Sequence, residues 1–145
     1  MLAPDAAGYG RRMRPSLVLA AAADVAGILV FAAVGRASHT ESGALADIVR
    51  IAWPFLTGGA LAWLVTRAWR HPLPVWPTGA LVWAGTWGVG MLLRGLTGGG
   101  LAPSFLLVAA IALGVLLLGW RGILALVRAV RRAAVRGAAT PRATS

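Results

Sequence analysis

Residues 16–35 read SLVLAAAADVAGILVFAAVG, and every position from Leu17 onward is apolar or small except Asp24, near the middle. Twenty residues of α-helix rise about 30 Å, the thickness of a bilayer's hydrocarbon core. A carboxylate in such a segment costs roughly 2.5–3.5 kcal/mol on insertion scales unless it faces protein or water. The stretch therefore predicts a membrane span that cannot stand alone. Other spans must accommodate Asp24, which makes it the leading candidate for a functional residue.

The composition of the whole chain agrees. Its 145 residues are 59% hydrophobic with a mean hydropathy of +0.77, well above a soluble domain of this length. There is no cysteine, so disulfides, thiolate metal sites, iron–sulfur clusters and thiol redox chemistry are excluded. All fourteen basic residues are arginine, which removes a lysine phosphate loop, a Schiff base and a lysine general base. The net charge of +10 is spread between apolar segments. It reads as a set of topology signals facing anionic lipid rather than as a nucleic-acid surface.

Residues 1–15 form a short basic tail with Arg11, Arg12 and Arg14, and Met13 is an alternative start. A basic head before an apolar run is also the pattern of a secretory signal, but this run is long and interrupted by Asp24. The next span is expected over about 47–66, beginning as early as Ala44, with a kink at Pro54, whose ring leaves the carbonyl of Arg50 without its usual donor. That freed carbonyl must be satisfied inside protein, so this side should face the bundle. RAWRHPLPVW, residues 67–76, has the arginines, tryptophans and prolines of an interfacial loop. A third span is expected over about 77–93 and a fourth over about 103–120, the latter uncharged and facing lipid most. Beyond Trp120 the helical period continues, and Arg121, Arg128, Arg132 and Arg136 fall at spacings of seven, four and four. They form a basic stripe on an amphipathic extension, either bound to anionic lipid or a partner or simply solvated, before a disordered end. The fold class expected is all-α, a polytopic four-transmembrane-helix bundle.

With both termini cytoplasmic, the inside segments hold Arg11, Arg12, Arg14, Arg67, Arg70, Arg121, Arg128, Arg131, Arg132, Arg136 and Arg142, and the outside only Arg36, Arg50 and Arg94. That asymmetry is a strong positive-inside bias and requires an even number of crossings. It predicts a multi-pass protein of the cell membrane. Each span also carries small residues four apart, Ala23 and Gly27, Gly58 and Ala62, Ala84 and Gly88, Ala110 and Gly114. Such pairs permit close helix approach, within one bundle or across a homo-oligomer seam.

Two constellations carry the candidate chemistry. Counting from the inner helix ends puts Asp24 roughly 12 Å deep, level with Thr57 and the glycines after it and with Thr86 and Trp87. Two hydroxyls beside glycine clearance suit a carboxyl that binds a proton or a cation, or one that only fixes packing. At the outer rim Arg36, His39 and Arg94 form a candidate anion or lipid-headgroup site, since guanidinium forks match carboxylate and phosphate. The plainer alternative has these arginines pairing with Glu41 and Asp47. An Asp24–Arg94 ion pair is not expected, their levels differing by roughly 15 Å. Trp83 and Trp87, four apart, suit either a stacked ligand or bundle packing. No nucleophile frame surrounds Ser38 and His39, and His39 and His71 fall on opposite faces, so neither an enzyme nor a metal or cofactor site is expected.

Asp24, the GRASH exit at residues 35–39, Trp53-Pro54-Phe55 and GMLLR at residues 90–94 together resemble the uncharacterised membrane-protein family known as domain of unknown function number 3054. The likeness runs from about Arg14 to Trp120. It implies a small bacterial integral membrane protein with several spans and no assigned activity, and it supplies no catalytic residue. The functional expectation is a small transporter or permeation component using Asp24, with a non-catalytic scaffold or lipid-binding protein as the alternative.

Overall fold

The computed structural model describes residues 15–36 and 44–138 and is all-helical over them. Its helices are α1 (Pro15–Arg36), α2 (Ala44–Thr66), α3 (Ala80–Leu96) and α4 (Pro103–Ala138). The expected tails, together with Ser38, His39 and Glu41 in the first connection, lie outside the described residues.

Proline decides two boundaries. Pro54 does not end α2, which runs through it, and its ring is fully buried, on the side facing the bundle as anticipated. The third expected span opens on a kink at Trp76, which Pro77 pushes out of the helical region, and α3 proper runs from Ala80. Trp76 is extended, with φ −120° and ψ 137°, and the Trp76–Pro77 bond is cis. A kinked turn, Val75–Gly79, closed by the Gly79 amide on the Pro74 carbonyl at 3.1 Å, carries the chain into α3. Between α2 and this turn, Arg67 takes φ 50°, while its amide and that of Ala68 return to the Leu64 and Trp63 carbonyls. This is a left-handed helix stop made without glycine.

The core is built from Ile28 and Phe31 of α1, Phe55 of α2, Met91 of α3, and Leu113 and Leu117 of α4. Phe31 meets Phe55 edge to face with centroids 5.0 Å apart. The tightest packing is between α2 and α3. A Cβ on Gly58 would lie 2.9 Å from the Thr86 carbonyl oxygen and 3.0 Å from the Gly90 amide, so only a glycine allows that backbone approach. The α2 pair Gly58 and Ala62 thus packs inside the bundle, against Gly85 and Gly90, whereas Gly88 meets nothing.

The surface is apolar as well. Leu19, Val34, Leu45, Val65, Leu107 and Val115 are all exposed, so the helices present apolar side chains outward as well as toward the core. Three helices, Ser16–Arg36, Leu45–Thr66 and Pro103–Gly137, are long and apolar enough to cross a membrane. At 17 residues α3 is shorter. The last helix continues without a break past Trp120, so the amphipathic extension is part of α4.

Candidate functional site: a buried ion pair beside a cavity

Arg121 follows Ala109, Leu113 and Leu117 at four-residue intervals, and all four side chains are fully buried. The row that packs α4 into the bundle therefore ends in a guanidinium. It meets Asp24 as a two-pronged pair, with Nη1 2.6 Å from Oδ1 and Nη2 2.7 Å from Oδ2. Fork-to-fork contacts of this kind are short, directional and roughly twice as strong as neutral hydrogen bonds.

The rest of the shell completes both groups. The Trp63 indole N–H donates to Asp24 Oδ2 at 2.9 Å, and that of Trp120 to Oδ1 at 3.0 Å. Each carboxylate oxygen thereby accepts two hydrogen bonds, one charged and one from an indole. Arg121 Nε donates to the Pro72 carbonyl at 3.2 Å and Nη1 to the Leu117 carbonyl at 2.7 Å. Its guanidinium carbon also lies 4.3 Å from the centroid of the Trp120 ring, a cation–π contact. One side chain from α1 is thus tied to α2 and to α4, and Arg121 carries the network on to the loop at Pro72. In a low-dielectric surrounding such a network is favourable only when every member is satisfied, and here the carboxylate's lone pairs are all engaged.

Beside the pair lies a cavity of ≈ 190 Å³ between α1, α2 and α3. Its walls are mostly alkyl groups, with Asp24 and Trp63 at one part of the lining and Thr86 at another. Thr86 is fully buried, and its Oγ1 has no hydrogen-bond partner.

Of the side chains expected around Asp24, Thr86 alone shares this space. Thr57 is exposed and its hydroxyl donates to the Trp53 carbonyl of its own helix at 2.9 Å. Trp87 donates to the Leu106 carbonyl on α4 at 3.1 Å, and Trp83 likewise to the Ala110 carbonyl at 2.9 Å. Both indoles staple α3 to α4, so the tryptophan pair packs the bundle. Asp24 meets Trp63, six residues beyond Thr57 on α2, because the helices do not start in one plane, whereas Trp87 follows Thr86 at the expected level but projects from the face of α3 that packs on α4.

Placing Arg121 on the solvated basic stripe needs a larger correction. The signal was present in the row Ala109-Leu113-Leu117-Arg121, at the i, i+4 spacing of one helix face. It was lost by ending the span at Trp120.

The outer constellation does not assemble as a clamp. Arg36 Nε lies 3.9 Å from Asp47 Oδ2, the pairing offered as the plainer alternative. Arg94 stacks on Phe105 with 4.5 Å to the ring centroid, and its Nε donates to the Gly100 carbonyl at 3.3 Å. His39, the third member, lies outside the described residues.

The sequence profile of a family described as protein of unknown function (DUF3054) matches residues 21–124, a span that contains both Asp24 and Arg121. No curated protein and no solved structure matches the chain.

Proposed function

The chain belongs to that DUF3054 family, whose description assigns no activity, and from its own residues we propose a non-catalytic integral membrane protein, a scaffold or lipid-binding bundle locked by Asp24 and Arg121. It crosses the bilayer of a bacterial cell four times, with both termini cytoplasmic. The observation that carries this reading is the saturation of the Asp24 carboxylate by two guanidinium and two indole donors. A carboxylate so occupied has no lone pair to offer a cation and already has its countercharge, so it acts as a fastening between helices. The polar face of the α4 extension, with exposed Arg128, Arg131 and Arg132 opposite Ile123, Leu126 and Val130, supports contact with anionic lipid at the cytoplasmic surface.

The rival reading, a proton- or cation-coupled transporter, keeps one observation in its favour, the cavity that reaches Asp24. Proteoliposomes loaded with a pH-sensitive dye separate the two. The expected outcome is no proton or cation flux above that of empty vesicles in the wild type. Asp24→Asn should lose folded protein, and pairing Asp24→Leu with Arg121→Met should restore it. A wild-type flux that Asp24→Asn abolishes while the bundle stays folded would establish transport instead.

A further inference from the structure

We propose that Arg94 and Arg50 form a binding site for the phosphate of an anionic phospholipid, at the end of the bundle away from the Asp24–Arg121 pair. The turn after α3 is shaped around the Arg94 side chain. A Cβ on Gly99 would collide with Arg94 Cγ and stand 3.2 Å from Nε, so only a glycine leaves the room in which that side chain lies. The Gly99 amide closes the turn on the Arg94 carbonyl at 2.8 Å, and the Gly100 carbonyl accepts from Nε at 3.3 Å. On its other side the guanidinium carbon lies 4.5 Å from the centroid of the Phe105 ring. Backbone thus holds one edge of the group and an aromatic ring one face, which leaves the edge carrying Nη1 and Nη2. Neither of these nitrogens has an acceptor among the described residues, and neither is sealed from outside. A guanidinium fixed in this way offers two parallel donors, the fork that matches two oxygens of a phosphate.

A second cation stands beside it. Gly58 packs on the Thr86 carbonyl, Ala62 on Gly85 and Phe55 on Gly90, so α2 and α3 run antiparallel in a fixed register. Arg50 comes five residues before Phe55 and Arg94 four after Gly90, which brings both to one level, and the charge of Arg50 opposes that of Arg94. Among the described residues neither pairs with an acid, because Asp47 lies 3.9 Å from Arg36 and Asp24 is closed by Arg121. Two adjacent guanidinium groups without a carboxylate between them draw in an anion. Leu92, Leu96 and Leu101 are exposed around the same rim, which suits an anion that carries acyl chains rather than one free in water. A choline or ethanolamine headgroup would bring an ammonium against the second guanidinium, so the site selects headgroups of net negative charge. It rests on the membrane reading above but is separate from the basic α4 extension, since Phe105 precedes Arg121 by about 24 Å of helix.

The test is fluorine NMR on the full chain with a trifluoromethyl reporter on Leu96→Cys, in nanodiscs of phosphatidylcholine with rising fractions of phosphatidylglycerol. A saturable shift is expected, at a phosphatidylglycerol fraction roughly three- to tenfold lower than in Arg50→Gln or Arg94→Gln protein, between the strength of an exposed ion pair and that of a charged hydrogen bond. Arg50 is exposed and makes no bond of its own, so Arg50→Gln keeps the fold even where Arg94→Gln loosens the turn. Arg128→Gln, at the other end of the molecule, should leave the shift unchanged. A shift that only rises linearly with phosphatidylglycerol, one that survives both Arg50→Gln and Arg94→Gln, or one that inorganic phosphate reproduces in pure phosphatidylcholine discs would each overturn the proposal, the last by assigning the site to a soluble anion. A failure of the membrane reading shows separately, as protein that does not enter the discs.

Discussion

At the scale of single residues, the Asp24–Arg121 pair has the asymmetry typical of buried charges. Removing one member strands the other without solvation or partner, a loss of about 3–5 kcal/mol, whereas replacing both by apolar groups of similar volume is often neutral or stabilising. Arg121→Met alone should therefore lower the unfolding free energy in detergent by about that amount, and the double replacement should recover most of it. A thermodynamic cycle of the two single variants and the double one measures the coupling. Thr86→Val should act in the opposite direction. It exchanges a hydroxyl with no partner for a methyl of equal shape, worth about 1–3 kcal/mol of relieved desolvation, and a higher melting temperature is the expected readout. Asp24 stood out in the sequence because a charge inside an apolar run is conspicuous against its neighbours. Arg121 did not, because it stands at the edge of an apolar run and in front of five more arginines, where burial and solvation leave the same local composition. Only the tertiary register of α4 against α1 tells the two apart.

At the scale of elements, the helices themselves were legible because length and hydropathy alone define a span, and α1 and α2 run within a few residues of the expected bounds. What periodicity could not give was the depth of one helix against another, since a shift by a turn leaves each helix's own pattern unchanged. That shift separates Thr57 from Asp24, whereas Trp87, next to Thr86, is turned to the face of α3 that packs on α4. The α2–α3 contact supplies the sharpest test of the register observed. Gly58→Val should force the two backbones apart and destabilise the bundle by about 1–3 kcal/mol, while Gly88→Ala, with open space at the new Cβ, should be neutral or slightly stabilising. Equal effects from both would mean that α2 and α3 do not approach through Gly58. The stop of α2 is a second element-level case. Arg67 holds φ 50°, a conformation that costs a side-chain-bearing residue about 1 kcal/mol or more, so Arg67→Gly should raise stability by roughly that much in thermal unfolding.

At the scale of the whole molecule, α4 sets the geometry. Its 36 residues rise about 54 Å, well beyond a hydrocarbon core of about 30 Å, so the segment after Arg121 extends past the bundle. Trp63 near the end of α2 and Arg121 both bond Asp24, and Arg121 also bonds the Pro72 carbonyl in the α2–α3 connection, which puts that connection and the α4 extension at the same end of the bundle. Four crossings follow if α3 passes through the membrane alongside α2. The charge pattern favours four, because Arg67 and Arg70 then share the arginine-rich side with Arg128, Arg131 and Arg132. The absence of native cysteine makes the distinction direct. Single substitutions Arg70→Cys and Ala129→Cys should react with an impermeant maleimide only after the inner face is exposed, and Gly100→Cys, placed where a side chain meets nothing, should react in intact cells. Labelling at positions 100 and 129 from the same side would place α3 and α4 otherwise.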